Sequence, residues 1–182
     1  MKRLVSGILT MTVLIAVTLL LSGGYGHAEE GSVKAMSPWK GVGFAFPVGP
    51  DQVYMVAVYS GVMLMDDGKG PMHAASIICP GTVDADLKKG TKTGHAKCVI
   101  TGEQGNRVFA EFNCTGDAEG CRGLFKITGG TGKFVGITGE GEMISKIQAR
   151  EITMVSGVET AQQLGEGVAV WPNLTYHIPD KK

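Results

Sequence analysis

Residues 127–143 read ITGGTGKFVGITGEGEM, and a glycine-rich run with a Gly-Lys pair is the kind of segment that can cradle phosphate. That chemistry has strict requirements. A phosphate loop needs a glycine five residues ahead of the Gly-Lys pair and a hydroxyl residue behind it, between a strand and a helix. Here Gly132-Lys133 is followed by Phe134, and Ile127 stands where the first glycine belongs. No helix pattern follows, because Phe134–Ile137 is β-type and further glycines interrupt it. The dinucleotide pattern G-x-G-x-x-G also fails: counted from Gly130 it meets Val135, and counted from Gly139 it meets Ile144.

Other reactive side chains form no constellation. His73, His95 and His177 are scattered without H-x-H or H-x-x-x-H spacing, and no G-x-S-x-G nucleophile motif occurs. Asp66-Asp67-Gly68 reads as a hairpin turn, since a calcium loop needs more oxygen ligands in a short span. The expectation is therefore no metal and no cofactor. Cys79, Cys98, Cys114 and Cys121 show no C-x-x-C pair, and an even cysteine count in an exported chain points to disulfides.

Export is read from MKRLVSGILTMTVLIAVTLLLSGGYGHAEE at the start. Lys2 and Arg3 precede an apolar run over Ile8–Leu21, and Gly26 and Ala28 fit small-x-small cleavage before Glu29. The apolar run is shorter than the about 20 residues a membrane span needs. The expected organisation is a signal peptide (1–28), an N-terminal extension (29–38), one β-barrel domain (39–178) and a tail (179–182), located in the periplasm or secreted. Losing Lys2 and Arg3 leaves 15 basic against 17 acidic side chains. A near-neutral chain without a Lys/Arg cluster argues against nucleic acid or an anionic membrane as partner.

The elements that must carry these residues are strands. Runs rich in Val, Ile, Phe, Tyr and Thr alternate with Gly, Pro, Asn and Asp, which predicts strands near 40–46, 53–66, 72–79, 95–101, 107–114, 121–128, 134–146 and 166–177. A short helix is expected around Val158–Leu164. The 28 glycines are spread along the chain rather than pooled in a linker. In the opening stretch Gly129, Gly130 and Gly132 supply a turn needing positive φ. Gly136, Gly139 and Gly141 permit coiling and close backbone approach in the adjoining strand. Strong coiling is what a small barrel needs in order to close. The fold class is all-β: a closed antiparallel barrel of about eight strands with little helix.

Two hairpins set a cross-strand register. Facing Cys114 with Cys121 places Phe112 opposite Gly123, Ala110 opposite Phe125 and Val108 opposite Ile127. A GEQGN turn at 102–106 places Lys97 opposite Glu111, Val99 opposite Phe109 and Cys98 opposite Ala110. With Ile77 opposite Ile100, Cys79 reaches Cys98. Of three connectivities, the register favours Cys79–Cys98 and Cys114–Cys121. VYMVAVYSGVMLM (53–65) is apolar on both faces, so it should be covered on both, either by a packed segment of the chain or by a subunit interface.

The run FKITGGTGKFVGITGEGEM (125–143), with Cys-x-Gly at 79–81 and Gly-x-x-x-Cys at 94–98, resembles the signature region of the allene oxide cyclase and dirigent barrels, closest to exported bacterial proteins of that pattern. The resemblance spans roughly residues 52–146 and implies an eight-stranded, calycin-like barrel with an apolar cavity, often assembled as trimers. It carries over no catalytic residue; Glu111, Glu140 and Glu142 are carboxylates of solvated strand faces. The expected function is an exported barrel that binds a small apolar molecule in its lumen, with Met55, Tyr59, Met63, Phe112 and Phe125 as inner-face candidates. The rivals are a cyclase or isomerase acting on a lipid-like substrate, and a homo-oligomer (trimer or dimer) with a filled core.

Overall fold

The computed structural model describes residues 28–66, 72–148 and 162–180. Eight strands follow one another: β1 (Glu29–Gly49), β2 (Gln52–Met65), β3 (Ala74–Asp86), β4 (Thr91–Thr101), β5 (Arg107–Asp117), β6 (Gly120–Gly130), β7 (Gly139–Ile147) and β8 (Gln162–Ile178). Each pairs antiparallel with its successor, and β8 pairs with β1 to close the barrel. Closure leaves no strand at the edge of an open sheet, which removes the main template for edge-to-edge aggregation. The fold class expected from the glycine spacing and β-type runs is the observed one.

Period-two alternation fixes which side chains enter the lumen. Along β2, Val53, Ala57 and Met63 are buried while Val56, Val58, Val62 and Leu64 are exposed. In β8 the alternation changes phase between Trp171 and Leu174, both buried, where Pro172 and Asn173 form a bulge against β1. A proline that cannot donate to the ladder is tolerated at such a bulge.

Because the strands form a meander, connections alternate between the two barrel ends. The β2–β3, β4–β5 and β6–β7 connections share one end, and side chains plug it: Met63, Met72, Ile100, Val108, Phe134 and Ile137 belong to one buried cluster. The glycine-rich stretch builds this plug. Gly132 (φ 59°) and Gly136 (φ 79°) sit in the β6–β7 turn in the left-handed region, which side chains with a Cβ adopt at a cost. Asn106, in the β4–β5 turn, accepts from the Lys133 N–H at 3.1 Å and donates to the Glu103 carbonyl at 3.0 Å. A Cβ on Gly132 would collide with the Asn106 side chain. The glycines thus let two turns lock together and seat Phe134 over the lumen.

Several expectations are corrected. Residues 29–38 are no extension: they pair with β8 as the first half of β1. Strands β3 and β4 run longer than the predicted 72–79 and 95–101, to Asp86 and from Thr91. The predicted strand at 134–146 begins only at Gly139, and Gly132–Phe134 is a 3₁₀ turn. Gly129 and Gly130 end β6, so of the three glycines assigned to the turn only Gly132 lies in it. The β5–β6 register is displaced by two residues: Phe112 lies opposite Phe125, Ala110 opposite Ile127, and Cys114 opposite Gly123. The reason is a two-residue turn at Ala118-Glu119, in which the Glu119 N–H donates to the Asp117 carboxylate at 2.9 Å. The β4–β5 register, with Lys97 opposite Glu111 and Cys98 opposite Ala110, stands as predicted. Residues 162–164 of the expected helix are strand. Its other residues, the signal segment before Ala28, Asp67-Gly68 and Lys181-Lys182 lie outside the described residues.

Two disulfides are present, Cys79–Cys98 and Cys114–Cys121, with no free cysteine among the described residues. The first joins β3 to β4 with Cα atoms 4.1 Å apart. The second joins β5 to β6 diagonally across the shifted register, with Cα atoms 5.6 Å apart.

Candidate functional site: the barrel lumen

Toward the end that carries the β1–β2, β3–β4 and β5–β6 turns, the lumen is hollow. A cavity of about 320 Å³ runs from Phe125 and Trp171 in the middle of the barrel out to a rim formed by Asp86, Leu87, Gly90, Thr91, Asp117 and Ala118. Its size lies at the lower end of small-molecule sites, about 300 Å³ and upward. All eight strands contribute to the wall. Among the described residues the interior is filled at one end and holds a cavity toward the other, so packed core and cavity each occupy one half of the barrel.

Of the five predicted lumen residues, Met55, Tyr59, Phe112 and Phe125 line this cavity. Met63 does not: it is fully buried in the plug cluster, because it lies at the far end of β2. Phe125 forms the cavity floor with Trp171, the two rings standing edge to face at 5.2 Å. Tyr59 meets Trp39 in the same manner at 5.6 Å. Such pairs add about 0.5–1.5 kcal/mol beyond the area they bury. Gly41 makes the Tyr59 position available, since a Cβ there would sit 2.8 Å from the ring.

The cavity disfavours charge. Burial pushes the Tyr59 phenol from 10.0 up to about 12, so it is neutral at any physiological pH and can only offer or accept a hydrogen bond. Among the described residues the charged groups lining the space are Asp86, Lys92 and Asp117, all at the rim. Asp86 is engaged outward with Lys89 at 2.9 Å, and the hydrogen bonds from Lys89 hold its carboxyl below the usual range. Lys92 points inward from β4, and burial lowers its ammonium against the attraction of Asp117. Glu111, Glu140 and Glu142 do not line the cavity; Glu142 pairs with Arg122 on the outer face at 3.1 Å. Among the described residues no His/Cys/Asp/Glu group is arranged to hold a metal.

The residues that pattern reasoning missed are Trp39, Trp171 and Lys92. Lys92 was recoverable. Lys92, Gly94, Ala96 and Cys98 share one parity, so placing Cys98 inside commits Lys92 to the lumen once the strand is extended to Thr91. The outer face of β1–β3 carries a second feature. Met36, Val56, Val58, Val62, Leu64 and Ile78 are exposed there, and no described segment covers them.

No family model matches the chain, and no curated protein matches its sequence. Among solved structures, that of a pterocarpan synthase dirigent protein is similar at 13% identity and a TM-score of 0.41, covering 85% of this chain and 89% of that one.

Proposed function

We propose that this chain is an exported binding protein that holds a small, largely apolar molecule in the hollow half of its lumen. The observation that carries the proposal is the cavity of about 320 Å³ whose wall is built from Trp39, Met55, Tyr59, Phe112, Phe125 and Trp171. A filled barrel needs no such space, and the same fold packs its other end tightly. Export is supported by the two disulfides and by the start of β1 at Glu29, next to the predicted cleavage point. Native mass spectrometry of the protein purified from its exported fraction tests both parts. The expected mass begins at Glu29, and the expected spectrum carries a released small molecule or accepts a neutral hydrophobic fluorophore at one site per barrel. A protein that is empty and refuses such probes overturns the container reading.

A second reading, an isomerase or cyclase, is favoured by one observation: Tyr59 places a neutral phenol beside the apolar pocket. Among the described residues it lacks a companion base, because the two lining carboxylates are at the rim. Assembly into a homo-oligomer is a further part of the proposal, supported by the exposed apolar face of β1–β3.

A further inference from the structure

We propose that Lys92 selects the ligand: the cavity takes molecules with an apolar body and a single anionic group, and holds that group at the rim against the Lys92 ammonium. The inference rests on the container reading and adds to it the ligand's charge and orientation. Among the described residues every other lysine is exposed; Lys92 alone is turned inward, from a β4 position on the same face as Ala96 and Cys98. Among the described residues it is the only cation lining the cavity. Its ammonium takes part in none of the salt bridges among the described residues.

Its surroundings explain why an anion would be favoured there. An ammonium brought part-way out of water loses hydration and regains it only from a partner of opposite charge. Asp117 attracts Lys92 without an ion pair among the described salt bridges, and one Asp117 oxygen accepts the Glu119 N–H at 2.9 Å within its own turn. Asp86 is paired with Lys89 at 2.9 Å. A carboxylate, sulfate or phosphate ester arriving at the rim would meet Lys92 with one competitor, Asp117, while its apolar part lies against Phe112 and Tyr59. The lysine stem can pack along the wall with its head toward the opening. A cationic amphiphile would bring two positive charges together at the rim and should be rejected.

The test uses three probes of one chain length, decanoate, decanol and decyltrimethylammonium, each below its micelle concentration, in competition with a neutral hydrophobic fluorophore. The expected order is decanoate tightest and decyltrimethylammonium weakest. Lys92→Met should weaken decanoate about five- to tenfold and leave decanol within about twofold, the range for a partly screened charge-assisted contact. Lys92→Arg should retain decanoate. Asp117→Asn, which keeps an oxygen for the turn, should tighten decanoate about twofold by removing the competing charge. If decanoate and decanol bind alike and neither Lys92→Met nor Asp117→Asn alters their ratio, the selector is overturned while the container stands. If none of the three displaces the fluorophore from the unaltered protein, the container reading falls and the selector with it.

Discussion

Tyr59→Phe tests whether the hollow half of the lumen is dry. In the folded barrel burial raises the phenol from 10.0 to about 12, whereas in the unfolded chain it ionises near 10. The folded state therefore holds a proton that the unfolded state has released, and stability falls as pH rises between those two values. It is unaffected below pH 10. Each pKa unit corresponds to about 1.4 kcal/mol, so the loss attributable to Tyr59 is about 1.4 kcal/mol at pH 11 and about 2 kcal/mol at pH 12. Burial is the sole cause of the shift, so no hydrogen bond is lost in the phenylalanine variant, and at pH 7 the two proteins should agree within about 0.5 kcal/mol. Urea unfolding of both, from pH 8 to 12, isolates the effect because all other titrating groups cancel in the difference. Phenolate absorbance of the folded protein gives an independent reading of the same ionisation. Equal alkaline losses in both proteins, or a Tyr59 phenolate forming near pH 10 before unfolding, would refute the dry cavity and the charge exclusion argued from it.

Further outcomes follow from the packing. Loop-closure entropy for sequence separations of 19 and 7 gives a loss of about 3 kcal/mol for Cys79→Ala/Cys98→Ala and about 2.5 kcal/mol for Cys114→Ala/Cys121→Ala, read by denaturant midpoints under non-reducing conditions. Gly123→Ala drives a Cβ into the Asn113 carbonyl and the Cys114 backbone, so it should cost about 3 kcal/mol or more or fail to fold. Gly41→Ala clashes with the Tyr59 ring while its contact with the Gly165 carbonyl stays an ordinary 3.8 Å; it should cost about 1 kcal/mol and disturb probe binding by moving that ring into the cavity. Val58 is 45% exposed on the outer β1–β3 face, so Val58→Asp should leave stability within about 0.5 kcal/mol while shifting sedimentation toward the monomer; an unchanged sedimentation coefficient would remove that face as an interface.

The parts of this molecule legible in its sequence are those where one local rule decides the outcome. Alternation in VYMVAVYSGVMLM places Met55, Tyr59 and Met63 on one face without reference to any neighbour. The even cysteine count, with Cys98 on the inner face of β4 and Ile77 opposite Ile100, leads to Cys79–Cys98. Setting Cys114 and Cys121 face to face gives a β5–β6 register two residues from the observed one, because the short turn at Ala118-Glu119 governs the pairing and the disulfide tolerates a diagonal. A disulfide constrains distance, but a turn constrains register. Residues 29–38 carry little local strand signal for a different reason. GSVKAMSP alternates weakly, and only pairing with β8, some 140 residues away, makes it a strand.

Where along the lumen a side chain lies is beyond any pattern of period two. Alternation tells Met63 to point inward but not whether it meets a void or a plug, and that depends on which turns cap which end. Here the decisive turn is the glycine-rich one. Gly132 and Gly136 take backbone conformations open to glycine, bring Lys133 onto Asn106, and seat Phe134 and Ile137 over one end of the barrel. Among the described residues the opposite end carries short hairpins, and the space above Phe125 is left unfilled. Glycines that resemble an anion cradle thus serve to close one mouth, and the described residues of the other half form a pocket with a floor, an aromatic wall and a rim to which Lys92 alone among the described lysines turns inward.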